Sequence, residues 1–373
     1  MQYRIGILGA TGYIGVPYRS EIREATQDAS IVALCARRRQ RLEAAAQEDG
    51  ATLVTDDWRE VVEHPEINLV LVLTPDALHY EPVMACAERG KHLLCEKPVG
   101  KDFAQAKAMW KACSEANIAT YVPYWTRYVP IFQRAKELVD AGRLGDIRSV
   151  IYRWQNPRPV SMPFTWRDDP NLSAAGSIAD VGSHAYDMLR FILGMEAERV
   201  LTHAQVVMPP KPDLGNIDLQ EALDWGNENP AEASSSVRKG TVPDYAQISF
   251  EFSNGTVGSI LLSHASYIRK GFAPELELHG TRASLAVDRI AGMLKIADSP
   301  DPARPLETIE DDGNCNRFQQ YVFPSLEAQL GGSPDRMHPV LHDGVMVQAF
   351  TDAALESSKR QTWVQLEEIS LGS

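Results

Sequence analysis

The chain has 373 residues, of which 44% are hydrophobic and 23% charged, as is typical of a globular protein. This length is sufficient for two domains. The formal net charge of -13 argues against a nucleic-acid surface, which needs a basic face, and against binding to an anionic membrane. No apolar run reaches the length of a membrane span. We therefore expect neither nucleic acid nor a membrane as a partner.

The amino terminus and the cysteines predict a cytoplasmic protein. Met1 is followed almost directly by the apolar run of residues 5–8, which leaves no room for a signal peptide. The cysteines are odd in number and scattered, with neither metal-ligand spacing nor a disulfide pattern: Cys35, Cys86, Cys95, Cys113 and Cys315. We expect a reduced setting and no metal site.

The first 122 residues alternate apolar runs with helical patterns. Strands are predicted at 4–8, 31–35, 69–73, 91–95 and 119–122. Helices are predicted between them, at 14–24, 38–47, 81–89 and 103–115. Such alternation indicates βαβ units and a parallel sheet. We predict an α/β fold with a dinucleotide-binding Rossmann domain at residues 1–122.

After Pro123 the pattern becomes rich in strands. Helices are predicted at 131–141, 182–193 and 338–359, and strands at 147–154, 200–207, 245–252, 256–263, 275–279, 284–288, 293–296 and 363–366. The Asn254-Gly255 pair between two strands predicts a hairpin. We predict an α+β domain at residues 123–373, in which the polar excursion 209–240 covers one side of a substrate cleft.

A glycine-rich turn follows the first strand. Gly9, Gly12 and Gly15 have the spacing G-x-x-G-x-x-G, one residue longer than the common dinucleotide fingerprint. Glycines there let the backbone approach a pyrophosphate bound at the helix N-terminus. Thr11 adds a hydroxyl near the phosphates. A tight turn without a ligand is the alternative, and the position at the start of a βαβ series favours cofactor binding.

The end of the second predicted strand bears on the choice of cofactor. An NAD site usually has a carboxylate there for the ribose 2′-OH, but this strand runs into Ala36, Arg37 and Arg38. The two arginines are suited to a 2′-phosphate. The alternative is a solvated basic helix start, which the helix dipole disfavours. We predict NADP as the preferred cofactor and leave NAD possible.

Two segments carry candidate catalytic groups. Lys97 stands before Pro98 at the end of a predicted strand, where the proline restricts its backbone and where open α/β sheets bind ligands. In the second segment, His184 is suited to take the proton of a hydroxyl. If the helix starts near Asp180, that carboxylate lies on the same face as His184 and Asp187. An N-cap role for Asp180 and a merely structural role for His184 remain open.

Together these motifs resemble the glucose-fructose oxidoreductase/inositol dehydrogenase (Gfo/Idh/MocA) family. The resemblance rests on the glycine turn, residues 74–79 (Thr-Pro-Asp-Ala-Leu-His), Glu96-Lys97-Pro98, residues 142–145 (Gly-Arg-Leu-Gly), Trp166-Arg167 and the Asp180-x-Gly182-x-His184-x-x-Asp187 pattern. It implies a Rossmann domain followed by a large, mostly antiparallel open sheet that makes homodimer or homotetramer contacts. Trp125 departs from the family, which commonly has Asn there.

The resemblance also implies the roles of individual residues. His184 is expected to be the acid/base, Lys97 to hold the reacting oxygen, and Asp180 to tune His184. With the residues of the turn and of the second strand, the predicted cofactor-binding set is Gly9, Thr11, Gly12, Tyr13, Ile14, Ala36, Arg37, Arg38, Thr74, Pro75, His79, Glu96 and Lys97. The predicted substrate-binding set is Lys97, Tyr124, Arg127, Trp166, Arg167, Asp180 and His184.

We therefore predict an NAD(P)-dependent dehydrogenase or reductase acting on a secondary alcohol or ketone of a sugar, cyclitol or sugar derivative. Arg167 could instead bind a carboxylate, which would indicate a sugar acid. One alternative is a non-catalytic NADP-sensing regulator, but such family members tend to lose the Lys or the His. Another is a dihydrodiol-type dehydrogenase, which would need a mostly apolar pocket.

Overall fold

The amino-terminal part of the chain forms a six-stranded parallel sheet. The computed structural model describes residues 2–25, 28–173, 175–215, 217–229, 236–310 and 316–371. The strands are β1 (Tyr3–Leu8), β2 (Ala29–Cys35), β3 (Leu53–Thr55), β4 (Leu69–Val72), β5 (His92–Cys95) and β6 (Thr120–Tyr121). Their order is β3-β2-β1-β4-β5-β6. The strand order reverses between β1 and β4, so a ligand crevice is expected at that point.

Five helices accompany this sheet. They are α1 (Gly15–Ala25), α2 (Arg39–Asp49), α3 (Trp58–Glu63), α4 (Tyr80–Glu88) and α5 (Phe103–Glu115). The helix α5 begins where predicted because the Asp102 side chain accepts a hydrogen bond from the Gln105 backbone N–H. All four residues of β4 are buried, as expected for a strand covered on both faces.

The rest of the chain builds a nine-stranded sheet. Its order is β16-β15-β14-β13-β7-β12-β11-β8-β17, and only the β7–β12 pair is parallel. The elements are α6 (Pro130–Asp140), β7 (Ile147–Gln155), α7 (Ser183–Leu193), β8 (Ala197–Gln205), β9 (Lys211–Pro212), α8 (Leu219–Glu228), β10 (Val237–Arg238), β11 (Tyr245–Phe252), β12 (Val257–Ser263), β13 (Leu276–Gly280), β14 (Ser284–Asp288), β15 (Met293–Ala297), β16 (Glu307–Glu310), α9 (Phe323–Leu330), α10 (Leu341–Arg360), β17 (Val364–Gln365) and α11 (Leu366–Leu371). The predicted fold class and the β11–β12 hairpin are confirmed.

Several elements were not predicted from the sequence: β3, α3, β9, α8, β10, β16, α9 and α11. The helix α9 and the π-helical turn before it (Phe318–Val322) return to the first sheet. There Phe323 stacks on Tyr3 with ring centroids 4.4 Å apart, and Phe318 contacts Tyr18 edge-on. The carboxyl-terminal chain therefore completes the core of the Rossmann sheet. Cys315 and part of the 209–240 excursion lie outside the described residues.

None of the helices described is both long and apolar enough to cross a membrane.

Candidate active site

The glycine turn between β1 and α1 is shaped by close backbone contacts. Gly9 has φ +82°, and a Cβ there would lie 2.6 Å from the carbonyl oxygen of Leu73. A Cβ at Gly15 would lie 2.5 Å from the Gly9 oxygen. Side chains at these positions would force β1, β4 and α1 apart. The turn therefore brings the N-terminus of α1 to the edge of the sheet, where the positive end of the helix dipole favours an anion.

A long cleft runs along this edge in two adjoining parts, of about 920 and 560 Å³. Both parts are lined by Thr11, Gly12, Tyr13, Ile14, Leu73, Thr74, Trp166, Arg167, Asp218 and Leu219. The smaller part reaches the end of β2, and the larger part reaches Lys97 and His184. The cleft thus has the extent and position expected for a dinucleotide with a substrate at one end.

Most of the predicted cofactor residues line the cleft. The smaller part is bordered by Gly9, Thr11, Gly12, Tyr13, Ile14, Ala36, Arg37, Arg38, Thr74 and Pro75, and the larger part adds Glu96 and Lys97. His79 is fully buried, with its ring nitrogens 3.0 Å from the Pro98 oxygen and 2.7 Å from the Thr74 oxygen. It does not line either part of the cleft. Its ring instead links the loop that contains Thr74 to the loop that contains Pro98.

Arg38 also contacts the second sheet domain. Its guanidinium lies 2.7 Å from Glu221 and 3.4 Å from Asp218, and Arg41 lies 2.9 Å from Asp218. The two acids form the capping box of α8. A segment of the predicted excursion therefore lies across the cleft and is ion-paired to the start of α2.

Lys97 is held at the carboxyl end of β5 by Asp180. Its Nζ donates to the Asp180 backbone oxygen at 2.8 Å and to Oδ1 at 3.1 Å. Arg158 donates to the other carboxylate oxygen at 3.3 Å, and the His264 Nε2 lies 3.3 Å from the same oxygen. Burial by itself raises the pKa of the Asp180 carboxyl. The nearby positive charges, of which Lys97 has the largest effect, outweigh burial and hold this pKa well below its usual range.

His184 is held by aromatic rings. Trp154 stacks on its imidazole with centroids 5.3 Å apart, and Tyr124 contacts it edge-on at 5.8 Å. Its Nδ1 is buried without a hydrogen-bond partner among the described groups. Burial, and then the charge of Lys97, lower the pKa of His184 well below its ordinary value. The imidazole is therefore neutral near pH 7 and able to accept a proton.

The helical register expected around Asp180 differs from the observed one. Residues Ile178–Gly182 form a π-helical turn before α7, which alters the spacing of side chains along the helix. Asp180 faces Lys97, whereas Asp187 is buried on another side against Arg127. Among the described residues, the Asp180 carboxylate contacts Lys97, Arg158 and His264, and no hydrogen bond joins it to the His184 ring.

The predicted substrate residues separate into two groups. Trp166 and Arg167 line the cleft beside Lys97. Tyr124 is fully buried behind His184. Arg127 is also buried, and its guanidinium donates two hydrogen bonds to Asp187, at 2.8 and 2.5 Å. The expectation that Arg127 contacts substrate therefore does not fit its position, because this ion pair holds it outside the cleft.

Sequence reasoning missed several cleft residues. Asp76 is 3% exposed beside the cleft, and burial raises its pKa to about 7 against the opposing effects of Lys97 and Arg167. Lys270 and Arg289 line the larger part from loops far along the chain. Of these three residues, only Asp76 lies within a sequence motif, the segment 74–79, and its position beside Thr74 and Pro75 is a signal that could have identified it.

Comparisons with known proteins agree with this architecture. Residues 3–124 match the model "Oxidoreductase family, NAD-binding Rossmann fold", and residues 132–286 match the GFO/IDH/MocA C-terminal domain. A levoglucosan dehydrogenase of Pseudarthrobacter phenanthrenivorans is 27% identical, with 87% of each chain covered. A scyllo-inositol 2-dehydrogenase (NADP(+)) of Bacillus subtilis is 26% identical, with 84% of this chain and 83% of that protein covered.

A solved levoglucosan dehydrogenase in complex with NADH has the same fold. The TM-score is 0.82 at 23% identity, covering 98% of this chain and 99% of that one. The matches to both domain models together span more than half of the sequence. The chain belongs to the GFO/IDH/MocA family of oxidoreductases, with an NAD-binding Rossmann domain.

Proposed function

We propose that the chain transfers hydride between a nicotinamide and a secondary alcohol or ketone of a sugar, cyclitol or sugar derivative. One observation carries the proposal: the Lys97 ammonium is fixed by Asp180 in the same cleft wall as a neutral His184. The names of the relatives, a levoglucosan and an inositol dehydrogenase, support the substrate class. The charged lining favours a hydroxylated substrate over an apolar dihydrodiol.

The cleft residues fit NAD(P). The glycine turn and the N-terminus of α1 would hold the pyrophosphate, Arg37 and Ala36 would border the adenosine, and Thr74 would lie toward the nicotinamide. Bound NAD(P) supplies the ring carbon that accepts or donates the hydride.

Within this arrangement, the protein side chains manage the proton. Lys97 donates a hydrogen bond to the reacting oxygen, which stabilises negative charge on it as the C–H bond breaks. In the oxidation direction the neutral His184 accepts the hydroxyl proton, and in reduction it returns that proton to the oxygen. Asp180 positions the ammonium through two hydrogen bonds and compensates its charge.

We expect Lys97→Met to abolish turnover and leave cofactor binding nearly intact, because the methionine fills the space without an ammonium. The measurement is nicotinamide absorbance during incubation with inositols, sugars, anhydrosugars and sugar acids, together with NAD(P)H binding by fluorescence. Lys111→Met, on the exposed surface of α5, is the matched control. Wild-type turnover by Lys97→Met would refute the assignment.

We further propose NADP as the preferred cofactor, with NAD also accepted. Arg37 and Arg38 border the adenosine side, where the end of β2 offers no carboxylate to a ribose 2′-OH. We expect Arg37→Ala and Arg38→Ala to raise the KM for NADP by about tenfold or more and to change the KM for NAD little, since a charge-assisted phosphate contact is lost. Equal losses for both cofactors would contradict a role in 2′-phosphate binding.

Three coarser expectations accompany this proposal. We propose that residues 1–122 bind the cofactor and residues 123–373 the substrate, and that the chain forms a homodimer or homotetramer. Light scattering on the purified protein tests the latter directly, and a monomer would contradict it. We also propose a cytoplasmic location, which accords with four free and buried cysteines among the described residues.

A further inference from the structure

Three cations from distant parts of the sequence meet at one edge of the nine-stranded sheet. Gln155 at the end of β7 pairs with Ser263 at the end of β12, and Tyr152 pairs with Leu276 at the start of β13. Leu276 in turn pairs with Val287 near the end of β14. The loops after β7, β12 and β14 therefore emerge together, and they bring to the cleft Arg158, Lys270 and Arg289.

The carboxylates near these cations leave positive charge in excess. Asp180 is shared between Lys97 and Arg158, and Glu275 accepts from Arg289 at 2.9 Å. Lys270, exposed at the rim, has neither an ion pair nor a hydrogen bond to any residue in the described ranges. Partial burial, and then the charge of Arg289, lower the pKa of its ammonium. An anion at this position would relieve that repulsion.

The cations are at a useful distance from the reacting groups. The Arg289 guanidinium lies over the Trp154 ring, 4.3 Å from its centroid, and the same indole stacks on His184. Arg289 and the His184 imidazole therefore contact the same indole, and the Arg289 charge is close enough to contribute to the lowered pKa of His184. Because His184, Lys270 and Arg289 line the same part of the cleft, we expect a sugar with its hydroxyl at His184 to present its far end to this cationic edge.

We propose that the substrate is an anionic sugar derivative, whose carboxylate or phosphate is bound by Lys270 and Arg289 at the sheet edge. This inference rests on the proposed dehydrogenase function and names its substrate class. Arg158 already donates a hydrogen bond to Asp180, so we assign it only a contribution of positive charge to the site. A neutral sugar would leave the Lys270 ammonium without a partner.

The test compares sugars that share a skeleton, using the full chain with NAD and NADP. D-glucose, D-glucuronate and D-glucose 6-phosphate form one set, and the galactose counterparts form a second. We expect kcat/KM to be at least about tenfold higher for the preferred anion than for its neutral partner, as a charge-assisted contact implies. Whether the carboxylate or the phosphate is preferred identifies the anion.

Substitutions assign the preference to residues. Lys270→Gln should remove most of the preference for the anion, because it should raise the KM for the anion much more than the KM for the neutral sugar. Arg289→Lys should weaken the preference for the anion while the protein still folds. Arg269→Gln, on the same exposed loop but outside the cleft lining, is the matched control. The inference is overturned if the neutral sugar has the same kcat/KM as its anion, or if Lys270→Gln lowers kcat/KM equally for both. Neither outcome contradicts the proposed dehydrogenase function.

A binding measurement separates this inference from the proposed function. In the presence of NAD(P)H, glucuronate or inorganic phosphate should raise Tm of the wild type above a sodium chloride control of equal ionic strength, and should not raise Tm of Lys270→Gln. That result without any turnover would support the anion site and count against the dehydrogenase. An equal rise in both proteins, or none in the wild type, overturns the anion site.

Discussion

At the scale of single residues, different side chains position the two reacting groups, Lys97 and His184. The Asp180 carboxylate holds Lys97, while aromatic rings hold the imidazole of His184. The resemblance implied that Asp180 tunes His184. In this chain the link runs through charge, because Asp180 raises and Lys97 lowers the pKa of His184, after the larger lowering by burial. The neutral imidazole is the form that a base needs for alcohol oxidation.

Asp76 adds a second titrating carboxyl to the cleft. Because burial raises its pKa to about 7, it gains charge near Lys97 as the pH passes neutrality. A negative Asp76 adds compensating charge beside Lys97 and Arg167, so we expect the cleft to accept the hydroxyl proton more readily and oxidation to be faster above that pH. We expect the pH profile of kcat/KM to show an inflection near 7 that Asp76→Asn removes. Asp57→Asn, at the exposed start of α3, should keep it.

The same group has a signature in stability. Its pKa in the folded protein lies above the ordinary value of 3.8, so the folded state binds this proton more tightly than the unfolded state. The free energy of unfolding should therefore fall in the wild type, relative to Asp76→Asn, as the pH rises from about 4 to 7. Urea titrations across this range measure the difference. A constant difference would contradict the raised pKa.

Arg127 illustrates a residue whose role depends on burial. It is 2% exposed and pairs with Asp187, with Asp343 3.0 Å from the same guanidinium. We expect Arg127→Met to lower the free energy of unfolding by about 3–5 kcal/mol, because it leaves a buried carboxylate unpaired. Urea unfolding measures this loss. Arg134→Met, on the exposed side of α6, should change stability little. Unchanged stability with a raised substrate KM would restore the substrate-binding interpretation.

At the scale of elements, local signals account for the confirmed boundaries. The helix α5 was predicted at residues 103–115 and the strand β11 at 245–252, and both match. Their signals lie within the segment itself, namely an N-cap at Asp102 and an alternating apolar pattern in β11. The short β3 and α3 were missed because three to six residues do not establish a period. The π-helical turn at Asp180 was missed because its register depends on tertiary packing.

The helix α8 connects the excursion to the cofactor cleft. Glu221, an acid of its capping box, forms an ion pair with Arg38, which is one of the two arginines expected to bind a 2′-phosphate. We expect Glu221→Gln to lower the KM for NADP several-fold relative to that for NAD, because a competing and repelling carboxylate is removed. The effect should be modest, since both side chains are about one-third exposed.

Initial rates with each cofactor measure this ratio. Glu228→Gln, at the far exposed end of α8, removes the same charge away from the arginines and should leave the ratio unchanged. A lower KM for NAD but not for NADP in Glu221→Gln would show that the acid pair does not act on the phosphate.

At the scale of the whole molecule, each large sheet is built from its own stretch of chain, but the core of the first sheet is not. Tyr3 and Tyr18 in the Rossmann core pack against Phe318 and Phe323, which lie between β16 and β17 of the second sheet in sequence. The cleft likewise combines the glycine turn, β5, α7 and the excursion. Each wall of the active site therefore depends on contacts between residues far apart in sequence.

The sequence by itself determined the Rossmann class, the glycine turn and the identity of Lys97, Asp180 and His184 as candidates. These features depend on short patterns and backbone restrictions that operate within a few residues. The tertiary structure alone decided that Arg127 is buried, that α8 lies over the cofactor edge, and that Lys270 and Arg289 line the same cleft as His184. Such placements follow from strand pairing and core packing, in which the partners are separated by long stretches of chain that carry no local signal of one another.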